Sequence, residues 1–210
     1  MRGARTADGT PAPATVPPGV YPPREDTFLL LPFAAVPPHR RLLEIGTGAG
    51  WIALAAARAG ARVVATDRNP AALRGVLMTA RAESLDLEVV RTDLARGLGR
   101  FDRVLSNPPY LPTRREDRDA DPWVNLALDG GPDGTEVLDR LLAEIPHHLA
   151  DGGEAFVLVS SLQPEPRRAE LADRWRANGG TISIAAVRAF EGERLEVWRL
   201  ARHDGPSSTR

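Results

Sequence analysis

The chain has 210 residues, 42% of them hydrophobic and 26% charged, with a formal net charge of -1; that suits one domain with its own core and offers no basic excess for a polyphosphate partner. It contains no cysteine, and all 27 basic residues are arginine, which excludes disulfides, thiolate metal sites, cysteine nucleophiles, P-loop lysines and Schiff bases. No stretch approaches the ~20 apolar residues of a membrane helix and the first residues lack the apolar core of a signal peptide, so a cytoplasmic protein without a membrane partner is expected.

In chain order, residues 1–19 are rich in Pro, Ala, Thr and Gly and read as a disordered leader. Residues 20–202 read as one domain, and 203–210 as a flexible tail. Asp26 stands where it would cap a first short helix, and Pro32 interrupts that helix. Strands are predicted at 41–45, 62–66, 87–91, 101–106, 155–160, 181–187 and 195–200. Between them, a helix over 51–59 ends at Gly60. The next opens with Asn69 as N-cap and Pro70 at its first position. A third, over 135–149, sets Val137, Leu138, Leu141, Leu142 and Ile145 on one face, and Pro146 should bend or end it. A fourth covers 166–178 and stops at Gly179-Gly180. Alternating strands and helices call for an α/β, Rossmann-like fold with helices on both faces of a mostly parallel, seven-stranded sheet. The closing pair of strands is close enough for a hairpin, which adds one antiparallel strand. Ligands of such sheets bind at the carboxyl ends of the strands.

The first strand runs into Gly46-Thr47-Gly48-Ala49-Gly50 and then a helix. Glycines let the backbone turn tightly and approach a ligand, and the helix start adds unpaired N–H donors. After the next strand comes Asp67, at the place, about 20 residues on, where an acid accepts from ribose hydroxyls. The pattern by itself indicates a nucleoside cofactor. In the dinucleotide fingerprint G-x-G-x-x-G the third glycine would stand where Trp51 is, and the acidic Glu44 opposes a pyrophosphate but suits an ammonium group. Both favour S-adenosylmethionine over NAD. Asp93 and Leu94 end the third strand, where this fold borders the adenine; a surface acid capping a loop is the alternative for Asp93.

The fourth strand ends in Asn107-Pro108-Pro109-Tyr110. The prolines fix φ and carry no N–H, which leaves backbone carbonyls free, and Asn107 adds a side-chain acceptor. Two rigid acceptors suit a substrate –NH2, and Tyr110 offers a ring face to a planar group. An amide or exocyclic amine is a poor nucleophile, so acceptors preorganised where positive charge develops act on the transition state.

Four stretches resemble the HemK/PrmC-type protein glutamine N5-methyltransferases, and most of all their short branch. They are Val20-Tyr21-Pro22-Pro23-Arg24-Glu25-Asp26-Thr27-Phe28-Leu29-Leu30, Leu43 to Gly50, Phe101 to Tyr110, and Ala127-Leu128-Asp129-Gly130-Gly131-Pro132-Asp133-Gly134. The resemblance implies a class I methyltransferase using S-adenosylmethionine to modify a glutamine of a translation release factor. It implies that Gly46, Gly48, Gly50, Asp67 and Asp93, with Glu44, Thr47 and Leu94 beside them, surround the cofactor. It implies that Asn107 and Pro108 grip the substrate amide, and that Tyr21 and Thr27 line the same pocket. In archaea and eukaryotes this branch works with a small zinc-binding activator subunit.

The run from Leu111 to Pro122 mixes Arg114, Arg115 and Arg118 with four acids; a substrate lid and a solvated loop are both open readings. Trp51 and Trp123 could flank ligands, with core packing the favoured reading. Without cysteine and with scattered acids, no metal site is expected. Competing functions are N-methylation of a nucleobase in RNA or DNA, which the neutral charge balance disfavours, a catalytically inactive scaffold subunit, and a nicotinamide oxidoreductase.

Overall fold

The computed structural model describes residues 16–202. Most of the expected leader and all of the expected tail lie outside the described residues. One seven-stranded sheet has the order β3-β2-β1-β4-β5-β7-β6. Its strands are β1 (Arg41–Ile45), β2 (Arg62–Asp67), β3 (Leu87–Arg91), β4 (Phe101–Ser106), β5 (Leu149–Ser160), β6 (Gly180–Phe190) and β7 (Glu193–Arg202). The pairs β3-β2, β2-β1, β1-β4 and β4-β5 are parallel, and β7 lies antiparallel to both β5 and β6.

Successive strand residues point to opposite faces, and both faces are apolar here. Leu42, Val63, Leu105, Phe156 and Val197 pack on one side with α1 (Glu25–Leu30), α2 (Trp51–Arg58) and α3 (Pro70–Ala82). Leu43, Ile45, Val104, Val157 and Leu200 pack on the other with α5 (Glu136–His148) and α6 (Glu165–Ala177). Helices therefore cover both faces, and strand order reverses between β1 and β4. A crevice at the carboxyl ends follows at that switch point.

Several elements differ from expectation for local reasons. The first α-helix does end at Leu30, just before Pro32, but the chain continues as a 3-10 turn over Leu31–Ala34, in whose first turn a missing N–H costs nothing. Pro146 lies inside the last turn of α5, which runs two residues further, to His148. β5 begins at Leu149 rather than 155, because Gly152-Gly153 is taken up as a bulge where its pairing with β4 shifts register. The closing strands reach Phe190 and Glu193, leaving a two-residue turn at Glu191-Gly192 with Gly192 at φ 79°. A further helix, α4 (Pro122–Leu128), follows the charged run and is capped by the Asp121 side chain, which accepts from Trp123 N.

Candidate active site

A cleft of about 1200 Å³ opens at the carboxyl ends of β1, β2 and β4. Its floor is the glycine loop. Gly46 N and Thr47 N donate to Thr66 O (2.9 and 2.8 Å), which fixes the loop to β2. Gly50 has φ 79°, and a Cβ there would overlap Val76 of α3; only glycine lets α2 start this close to its neighbour.

Glu44 is buried beneath the loop. Its Oε2 accepts from Thr47 Oγ1 (2.6 Å) and Ala53 N (2.9 Å). Burial pushes the carboxyl up to about 8, although those two bonds pull the other way. A buried carboxyl in that state is stabilised in its charged form by an opposite charge, so the site fits a ligand bearing an ammonium group. Asp67 accepts from Gly48 N through Oδ2 (2.9 Å) and from Asn69 N through Oδ1 (2.8 Å). Each oxygen keeps a free lone pair for a hydroxyl. Burial also raises the Asp67 carboxyl.

At the far end of the floor, Asp93 and Leu94 carry contacts of their own. Asp93 lines the cleft, but its carboxylate pairs with Arg140 of α5 at 2.5 Å. Leu94 takes the left-handed conformation, φ 56°, and its carbonyl accepts from Thr66 Oγ1 (2.8 Å). Such a φ on a branched residue is costly and is held by its surroundings.

Asn107-Pro108-Pro109-Tyr110 forms the wall above the floor. Ser106 Oγ donates to Ile45 O (2.9 Å), which ties the end of β4 to the end of β1. Asn107 Oδ1 is buried and has no hydrogen-bond partner. Buried acceptors without partners are rare in folded proteins, so this one is available to a ligand donor. The Ala127–Gly134 segment packs directly behind. Leu111 N donates to Leu128 O (3.1 Å), Gly130 N to Leu111 O (3.0 Å) and Thr113 N to Gly131 O (3.0 Å). Gln163 Nε2 donates to Gly134 O at 2.6 Å.

The 20–30 segment folds over the cleft. Tyr21 packs on Gly48, where an added Cβ would lie 3.6 Å from Tyr21 O. Gly19, expected in the leader, is held by Asn69 Nδ2, which donates to its carbonyl (2.9 Å). Asp26 is not an N-cap; Arg24 takes that place. Instead, Asp26 Oδ2 accepts from Tyr21 Oη (2.8 Å) and Tyr110 Oη (3.3 Å), and Oδ1 accepts from Thr27 N (2.6 Å). Burial first, and then the Asp26 charge, raises both tyrosine hydroxyls, so they stay protonated. Thr27 Oγ1 accepts from Arg24 N (3.3 Å) and also lines the cleft.

Trp51 and Trp123 are not core residues; both line the cleft. Trp51 Nε1 is a second buried polar atom without a partner. Sequence reasoning also missed Glu193 and Phe190, which the hairpin brings to the rim. The charged run is neither a free loop nor wholly solvated: Arg118 pairs with Asp129 at 2.7 Å. Among the described residues, no helix is long and apolar enough to cross a membrane, and no three potential metal ligands cluster.

The methyltransferase small domain model matches residues 22–121. A Methanocaldococcus jannaschii protein, provisionally named a protein N5-glutamine methyltransferase, is 39% identical over 188 residues, covering 87% of this chain and 93% of that protein. The release factor glutamine methyltransferase of Deinococcus radiodurans is 40% identical over 174 residues, covering 77% of this chain but 60% of that protein. The E. cuniculi Mtq2–Trm112 complex, which methylates the translation termination factor eRF1, contains a chain 27% identical with a TM-score of 0.67, covering 88% of this chain and 99% of that one.

Proposed function

We propose, since the chain belongs to the HemK/PrmC-type family of protein glutamine N5-methyltransferases, that it methylates the side-chain amide of a glutamine in a translation release factor. The observation that carries this reading is the buried, unpartnered Oδ1 of Asn107 at the cleft wall. Beside it, Pro108 O accepts no hydrogen bond among the described residues. Together these two acceptors match the two N–H donors of a primary amide.

When bound, S-adenosylmethionine supplies an electrophilic methyl group on a sulfonium. The chain's own residues do the rest. Gly46, Thr47, Gly48 and Gly50 give the cofactor a close backbone floor. Asp67 offers its free lone pairs to the ribose hydroxyls, and Glu44 opposes the ammonium group. Asp93 and Leu94 close the adenine end, with Asp93 held in place by Arg140. Asn107 and Pro108 accept the two amide N–H bonds, turn the nitrogen lone pair toward the methyl and support the positive charge that develops on nitrogen. Pro109 keeps the turn rigid, and Tyr110 and Tyr21 flank the planar amide. No base acts before methyl transfer, because the nitrogen sheds its proton afterwards.

The formal net charge of -1 offers no basic excess to hold phosphodiesters, which favours a protein over a nucleic acid. The working place is the cytoplasm, beside the translation apparatus. The pairing of Mtq2 with Trm112 supports a small activator subunit as a partner here too. The test incubates the protein and labelled cofactor with a release factor, with its loop Gln→Ala variant, and with bulk RNA and DNA. Label is expected only in the release factor that keeps its glutamine; label in nucleic acid alone would refute the reading.

A further inference from the structure

Asp26, a buried charged side chain that lines the cleft, holds neither the cofactor nor the substrate amide in this mechanism. Asp26 is 3% exposed. Its Oδ1 accepts from Thr27 N and, at 3.3 Å, from Thr27 Oγ1; its Oδ2 accepts from the hydroxyls of Tyr21 and Tyr110. Four donors fill the sites a carboxylate offers. A buried carboxylate needs them, since each unmet site costs free energy. The three side chains are therefore held as a unit.

The two phenols come from different segments of the cleft lining. Tyr21 rests on Gly48 of the glycine loop, and Tyr110 closes the acceptor motif. The bond from Tyr110 to Asp26 spans 84 residues and is the one hydrogen bond that joins the 20–30 segment to the acceptor motif among the described residues.

We propose that Asp26 is a positioning residue that couples these two segments, so that the 20–30 segment closing over the cofactor also sets Tyr110 in its place beside the acceptor. This rests on the amide-methylating reading and extends it. Cofactor and acceptor should then help each other bind, because each stabilises the arrangement the other needs, and the help must be equal in both directions.

The test measures release-factor affinity with and without S-adenosylhomocysteine, for the intact protein and for the variants Asp26→Ala, Tyr110→Phe and Asn107→Ala. In the intact protein the product should tighten release-factor binding by about 5-fold or more, the lower bound of ordinary coupling. Asp26→Ala should bring that factor to nearly 1. Tyr110→Phe keeps the ring and removes only the hydroxyl, so it should do the same while leaving cofactor affinity nearly unchanged; it decides the matter if Asp26→Ala does not fold. A residue that merely starts a helix would change thermal stability and leave the factor intact, and that result overturns the proposal. Asn107→Ala separates the two ideas. It should keep the coupling and lose turnover, whereas unchanged turnover would overturn the amide-methylating reading itself.

Discussion

Gly134 leaves no room for a side chain against Tyr110: a Cβ built on it would overlap the Tyr110 carbonyl oxygen, inside the 3.0 Å that real Cβ atoms respect. Gly134 also has φ 76°, which side chains rarely adopt. The glycine-rich segment is thus the backing against which the acceptor motif is shaped. Gly134→Ala should push Tyr110 and the Pro108-Pro109 turn out of register. Turnover is expected to fall by at least about tenfold, with a stability loss of about 1–3 kcal/mol. Steady-state kinetics and thermal melts check both. Gly152→Ala is the control, because Gly152 has a similar φ of 69° but open space around it; it should leave turnover unchanged.

Asn107→Ala should lower methyl transfer by about 10²–10³, the usual effect of losing one preorganised contact at the reacting centre. Stability gives a second, less obvious readout. Asn107 Oδ1 is buried without a partner, so its removal relieves a desolvated acceptor rather than breaking a bond. The melting temperature should stay level or rise. A clear drop would mean that Asn107 is held by contacts of its own, and the case for an acceptor waiting for substrate would fall.

The parallel strands were legible because they are buried on both faces and read as continuous apolar runs, such as Leu42-Leu43 and Val104-Leu105. The glycine turn and the Asn-Pro-Pro-Tyr turn were legible because each follows such a strand. α4 was not, although Asp121-Pro122 is a proper start signal, because none of its residues is fully buried and no apolar face stands out. The bond from Tyr110 to Asp26 had no local signature, since its partners lie 84 residues apart. Local capping preference points to Asp26 as a helix cap, and tertiary packing overrides it. The Glu191-Gly192 turn was blurred by charged residues that the strands absorb at an exposed edge.

Asp67 holds two backbone N–H groups, of Gly48 and Asn69, as well as facing the cleft. Asp67→Asn keeps one acceptor oxygen and loses the other together with the charge. Cofactor affinity should fall by about tenfold or more, as expected when a hydrogen bond to a charged group is lost at a cost of about 1.5–3 kcal/mol. Asp93→Asn should cost much less, because Asp93 is engaged by Arg140. Calorimetric titration of the two variants with S-adenosylmethionine checks the ranking, and equal losses would remove Asp67 from its assigned role.

Glu44 is expected to make cofactor binding depend on pH. Its folded carboxyl titrates near 8, against 4.5 for an unperturbed one. Between those values the folded state holds a proton that the unfolded chain has released. The stability that this proton carries is present below about 4.5 and is lost as pH rises toward 8. Melts of the cofactor-free protein should therefore weaken across that window, and Glu44→Gln should flatten the trend while keeping an acceptor for Thr47 and Ala53. An ammonium group opposite Glu44 favours its charged form, so binding expels the proton. Cofactor affinity should climb with pH, by up to about tenfold per unit, and level off near 8. Asp67 adds a smaller push in the same direction through its own charge, so Asp67→Asn should shift the plateau to lower pH without removing the slope. A dissociation constant that stays constant from pH 5.5 to 8, measured in the intact protein and in Glu44→Gln alike, would show that Glu44 serves the loop alone.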